Sequence, residues 1–132
     1  MTRTPSQTVG PFFAIGLCRA EQNRLVPEGI ELRGRLLDGE DEAIPDGVVE
    51  VWDGTHWGRS ATDGEGRFSF VVPADVSGLW AYVFARGLLR HQLTRIHVGD
   101  APDPTLLAAR EDGGLRFDIR MQGDRATLFF EH

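Results

Sequence analysis

Apolar side chains recur at every second position along most of this chain, in short runs closed by Asp-Gly turns. That pattern constrains the fold more than any other feature. A period of two puts successive side chains on opposite faces of a strand, whereas a helix requires a period near 3.6. Ile30, Leu32 and Leu36 alternate with Glu31, Arg33 and Arg35, and residues 48–52 are β-branched and aromatic. Phe68, Phe70 and Val72 share one face, and Thr94, Ile96 and Val98 another. Leu115, Phe117 and Ile119 repeat the period, as do Ala126, Leu128 and Phe130. Residues 79–86 form a longer apolar run that reads as a strand buried on both faces. Asp38-Gly39, Asp46-Gly47, Asp53-Gly54, Asp63-Gly64 and Gln122-Gly123 fall between runs, where turn residues are needed. Residues 104–110 carry the one candidate helical turn. About seven strands without a helical period predict an all-β fold, an antiparallel β-sandwich.

The remaining segment reads differently. Residues 1–28 alternate poorly and contain Pro5, Pro11 and Pro27, so they are expected to form an extended N-terminal arm lying over something, another chain included. The sandwich is expected over residues 29–132 as a single domain, since 132 residues suit one core.

Charge and composition narrow the function. All 14 basic residues are arginine, against 20 acidic residues, for a net charge of −6. An acidic chain lacks the basic field that nucleic-acid binding uses, and a chain without lysine supports neither a Schiff base nor a P-loop. No apolar run is long enough to span a membrane, and none of the signal-peptide type follows the polar start, so a soluble, cytoplasmic protein is expected. A single cysteine, Cys18, excludes an internal disulfide. His56, His91, His97 and His132 form no close-spaced ligand pair, and Asp63 with Glu65 reads as a solvated turn. No metal site is expected in this chain. Glu50, inside a strand, is expected to face solvent or pair with an arginine.

Two features remain. Arg86 ends an apolar run, and Arg90 and Arg95 follow it. A guanidinium fork is suited to a carboxylate of an anionic ligand, although composition alone favours a pairing with an internal Asp or Glu. The stretch from Thr4 to Phe13 mixes hydroxyls, two prolines, Gly10 and the pair Phe12-Phe13, giving an extended shape with aromatic groups that call for a docking surface.

Thr4-Pro-Ser-Gln-Thr-Val-Gly-Pro-Phe-Phe13, Val49-Glu-Val-Trp52, Gly58-Arg-Ser-Ala-Thr-Asp63, Phe84-Ala-Arg-Gly87 and Arg116-Phe-Asp-Ile-Arg-Met-Gln-Gly123 occur in this order. Together they resemble the alpha chains of protocatechuate 3,4-dioxygenases, in the intradiol ring-cleavage dioxygenase family. The resemblance implies a subunit that is inactive alone and helps form the substrate pocket at the Fe(III) of a partner beta chain. The reaction implied is O₂-dependent cleavage of protocatechuate to 3-carboxy-cis,cis-muconate. Thr8, Gly10, Pro11 and Phe12 match pocket-lining residues of the arm, and Arg86 matches an arginine near the substrate carboxylate. The two iron-binding histidine positions of the beta chain fall on Gly78 and Trp80, and Tyr82 is the one tyrosine. Relative to the family, the chain is trimmed after Trp52, before Leu79 and around residues 100–104. The alternative from another class is a stand-alone transthyretin-like β-sandwich that binds a partner without catalysis.

Overall fold

The computed structural model describes residues 22–85, 92–121, 127, 129 and 130. In chain order the strands are β1 (Ile30–Leu37), β2 (Val48–Trp52), β3 (Trp57–Ala61), β4 (Arg67–Val72), β5 (Gly78–Phe84) and β6 (Gln92–Val98). A 3₁₀ turn (Pro104–Leu106) precedes β7 (Leu107–Glu111), β8 (Gly114–Arg116) and β9 (Ile119–Arg120). The hydrogen-bonded order is β3-β2-β5-β6-β7-β8-β1-β4, with β9 also on β1.

The all-β expectation holds, and the sheet is mixed rather than purely antiparallel. β1 runs parallel to both β8 and β9, and β6 runs parallel to β7. β7 explains how two layers share one ladder: Leu107 and Ala108 pair with β6, while residues 109–111 pair with β8. The strand therefore turns the corner between layers. The sequence predicts a helical turn over residues 104–110, and β7 departs from it because only Ala108 along the strand is buried, which leaves no alternation to detect. The helical reading survives only at Pro104–Leu106, where Asp103 caps the turn by accepting from the Thr105 backbone N–H at 2.8 Å.

Alternation decides which faces meet. Leu32 and Leu36 from β1, Phe68, Phe70 and Val72 from β4, and Leu79, Ala81 and Val83 from β5 are all buried in one core. Burying each large apolar side chain contributes about 1.5–3 kcal/mol. β5 was expected to be buried on both faces, but only one face is sealed. Gly78, Trp80, Tyr82 and Phe84 on the other are partly exposed. The run looked uniformly apolar because its outer face is aromatic. Near the C-terminus the expected single strand breaks in two, since the Asp118 carboxylate takes the Arg35 backbone N–H at 3.0 Å between β8 and β9.

Turn chemistry is carried by aspartate side chains more than by glycine. Asp38 Oδ1 accepts from Glu40 and Glu42, and Asp63 Oδ1 accepts from Glu65 and Arg67. At Asp46-Gly47 the left-handed residue is Asp46 (φ 60°), not the glycine.

The last residues of the expected arm lie on this chain's own sheets. β3 and β4 are the two ends of the strand order, and the segment from Gln22 to Leu25 lies between them. Gln22 O accepts from Arg59 N at 2.9 Å on one side; Leu25 N donates to Val71 O at 2.9 Å on the other. Leu25 is buried in the core. Each open edge is thereby covered in part, at Arg59 on β3 and at Val71 on β4, which satisfies backbone groups an edge would otherwise present.

Candidate functional site

The outer face of β3, β2, β5 and β6 is where sequence, register and exposure converge. Ladder pairing is direct: Trp57 opposes Trp52, Trp52 opposes Trp80, and Trp80 opposes Arg95. All three tryptophans of the chain thus stand in one row across four strands, ending on a guanidinium. The neighbouring row is Arg59, Glu50, Tyr82 and Leu93. Residues directly opposite point to the same face, so both rows are consequences of register.

A tight turn holds one end. Asp53 Oδ1 accepts from the backbone N–H of Thr55 at 2.8 Å and of His56 at 2.6 Å, and Oδ2 meets His56 Nδ1 at 3.1 Å. Burial pushes the Asp53 carboxyl up, but those backbone donors and the imidazole outweigh it and hold it below the usual carboxylate range. The turn closes the β2–β3 hairpin and sets Trp52 beside Trp57. Both indoles are unusually exposed, at 43% and 45%.

Beneath them lies a buried ion pair. The Arg59 side chain is fully buried, and its Nε donates to Glu50 Oε2 at 2.7 Å. Its guanidinium carbon lies 5.2 Å from the Trp57 ring centre, within cation–π reach. Of the two expectations for Glu50, pairing with an arginine is the one observed. β3 carries no alternation to detect because its core-facing positions, opposite Val51 and Val49, are Gly58 and Ser60. Glu50, Trp52, Trp57 and Tyr82 surround a shallow cleft of about 260 Å³.

The other end of the row is cationic. The Arg95 guanidinium stacks on Trp80 at 4.5 Å, and Trp80 meets Phe130 edge-on at 6.1 Å. Among the described residues no carboxylate pairs with Arg95. A side chain built at Gly78 would meet Arg95 Nη2 at 3.3 Å. The two implied histidine positions of an iron site therefore present a glycine and an indole, with the Arg95 guanidinium beside both. This donor set does not fit a ferric ion: none of the three is a metal ligand, and a fixed cation stands in front of them.

Thr8, Gly10, Pro11, Phe12 and Arg86, the residues expected to line a substrate pocket, lie outside the described residues, as does Arg90. The structure describes β5 as far as Phe84, two residues before Arg86. A wider cleft of about 550 Å³ opens on the β1–β4 face around Arg33, Arg35, Arg67 and Arg116. Three of these arginines meet carboxylates, and Arg35 donates to the Glu65 carbonyl, so the cleft reads as a solvated charge lattice.

Solved structures with this architecture are intradiol dioxygenases. The dioxygenase domain of a carbohydrate-binding protein fusion from Streptomyces sp. SirexAA-E superposes with TM-score 0.59 at 18% identity, covering 76% of this chain and 87% of that one. Catechol 1,2-dioxygenase from Pseudomonas arvilla C-1 gives 0.55 at 20% identity over 80% of this chain and 58% of its own. The fold is that of the intradiol ring-cleavage dioxygenases. Within that class, the sequence is similar to the protocatechuate 3,4-dioxygenase alpha chains of Burkholderia cepacia and Pseudomonas putida. Each is 29% identical over 99% of this chain, and over 98% and 97% of the relatives respectively. Those alignments run over 193 and 195 residues against a chain of 132, so the relatives carry stretches this chain lacks. No protein-family model matches the sequence.

Proposed function

We propose that this chain is the alpha subunit of a protocatechuate 3,4-dioxygenase, acting in the cytoplasm as part of a hetero-oligomer with a beta chain. The observation that carries the reading is full-length similarity to two proteins named as alpha chains, on an intradiol dioxygenase fold. In this reading the Fe(III) belongs to the beta chain. The misfit of Gly78, Trp80 and Arg95 to a metal supports that division of labour.

What this chain supplies is orientation and charge. Thr8, Gly10, Pro11 and Phe12 line the substrate pocket, with Gly10 letting backbone approach the ligand closely. Arg86 pairs with the substrate carboxylate through its planar fork, fixing the ring relative to the partner's iron. Bound iron would supply the oxygen chemistry that opens protocatechuate to 3-carboxy-cis,cis-muconate. The chain alone is inert in this reading.

The test is co-purification of the tagged chain from its host, with mass spectrometry and iron analysis. Equal recovery of a homologue bearing tyrosine and histidine ligands, with iron and ring-cleaving activity, supports the subunit reading. Recovery of this chain alone and iron-free removes it and leaves the stand-alone transthyretin-like binding module.

A further inference from the structure

An aspartate followed by glycine can close on itself, because the glycine nitrogen can attack the side-chain carboxyl carbon. The step needs an unrestrained carboxyl, an unoccupied N–H and room for the backbone to rotate, which glycine provides. This chain has five such pairs, at 38–39, 46–47, 53–54, 63–64 and 112–113. The fold blocks four of them. Asp38 Oδ1 accepts from the backbone N–H of Glu40 at 2.8 Å and of Glu42 at 3.0 Å. Asp53 Oδ1 is held by Thr55 and His56, and Asp63 Oδ1 by Glu65 and Arg67, whose Nε also donates to Oδ2 at 2.9 Å. At 46–47 the nitrogen is engaged instead, since Gly47 N donates to the buried Thr62 hydroxyl at 2.8 Å.

Asp112-Gly113 carries neither restraint. The two residues are the whole turn between Glu111 of β7 and Gly114 of β8, which pair directly. Both are exposed, and both take positive φ, 50° and 78°, as a two-residue hairpin requires. Among the described residues no acceptor takes the Gly113 N–H, and a Cβ built there would meet nothing within 4 Å. The Asp112 carboxylate meets Arg33 Nη2 at 3.3 Å, but that nitrogen also serves Glu111 at 3.5 Å. With the Asp112 side chain 88% exposed, such a pair restrains it little. Turn tips of this kind open locally at low cost, so the backbone can rotate into line.

We propose that Asp112-Gly113 is a modification site, converting to isoaspartate as the folded protein ages. Gly113 N bonds to Asp112 Cγ and gives up its proton, while a side-chain oxygen leaves as water. Water then opens the five-membered ring at the main-chain carbonyl, so the mass returns to its starting value and no oxidant or reductant takes part. The product has one extra methylene in the backbone, and its turn no longer fits the spacing of the Glu111–Gly114 pair. β7 and β8 join the two layers there, and β7 buries only Ala108, so the corner is held lightly. The product also exposes a new main-chain carboxylate, the group an isoaspartate-specific carboxyl methyltransferase would take as substrate.

The test is ageing of the purified full-length chain at physiological temperature and neutral pH, followed by cleavage after arginine and chromatography with mass spectrometry. Cleavage releases residues 111–116, in which Asp112 is the only aspartate, and residues 60–67, in which Asp63 is the only one. Isoaspartate should accumulate at least about tenfold faster at 112 than at 63, because freeing a carboxylate from charged hydrogen bonds costs at least that factor. In chain aged under denaturant the two rates should converge, since the folded contacts that protect Asp63 are gone. Asp112→Glu, whose ring would have six members, should leave residues 111–116 unconverted. Equal rates at 63 and 112 in the folded chain overturn the proposal, and so does a gap that denaturant leaves unchanged. The inference rests on the turns of this chain alone, and failure of the subunit reading would appear separately in the co-purification.

Discussion

Arg59 is buried completely while its Nε donates to Glu50 Oε2 at 2.7 Å, and the exposed indoles of Trp52 and Trp57 stand beside this pair on the same sheet face. The two residues are ladder partners on β3 and β2. Removing Glu50 takes a charged partner from a fully buried guanidinium.

Glu50→Ala should therefore destabilise the chain by about 3–5 kcal/mol, the cost of breaking a buried ion pair from one side. Replacing both residues with leucine should recover most of that loss. Chemical denaturation of the two variants beside wild type measures it, and a mild single-variant effect would mean that water reaches Arg59.

Asp53 makes the β2–β3 hairpin sensitive to acid. Its carboxyl is held below the ordinary value of 3.8 by donors of the folded turn. A depressed folded value means the stabilisation is complete above 3.8 and lost as pH falls through the lower, folded value. Tryptophan fluorescence followed from pH 5 to about pH 2 should report loosening of Trp52 and Trp57 in that window. Asp53→Asn should flatten this response while keeping the turn's acceptor oxygen.

Gly34 lies where β1 meets the break between β8 and β9. A Cβ there would fall 1.8 Å from the Phe117 carbonyl oxygen, which is backbone and cannot swing away. Gly34→Ala should cost about 2–4 kcal/mol, at the severe end for point substitutions. A melting curve near wild type would show that β9 can shift outward without loss.

Arg86→Ala, assayed in the complex with a beta chain, should raise KM for protocatechuate about 10- to 100-fold with a smaller change in kcat, the expected loss of a charged hydrogen-bonded pair. Catechol, which lacks the carboxylate, should be indifferent to the substitution. An unchanged KM for protocatechuate would remove Arg86 from the site.

Local pattern carried a good deal of this structure. Alternation located β1, β4 and β6, because a half-buried strand must place every second residue in the core, while β-branched content located β2 and a continuous apolar run located β5. The same logic failed at β3, whose core-facing positions are Gly58 and Ser60 rather than large apolar residues, and at β7, which buries little. The motifs from Thr4 to Gly123 carried the resemblance, and full-length similarity agrees with it.

The sequence by itself determined the all-β class, the acidic and lysine-free chemistry, and the lack of histidine at positions 78 and 80. Only the tertiary structure decided which residues share a face. Register set Trp57, Trp52, Trp80 and Arg95 in one row, and a shift of a single residue would have scattered them. Pairing partners 5 to 28 residues apart are chosen by the whole core at once, so no local stretch of sequence encodes that row.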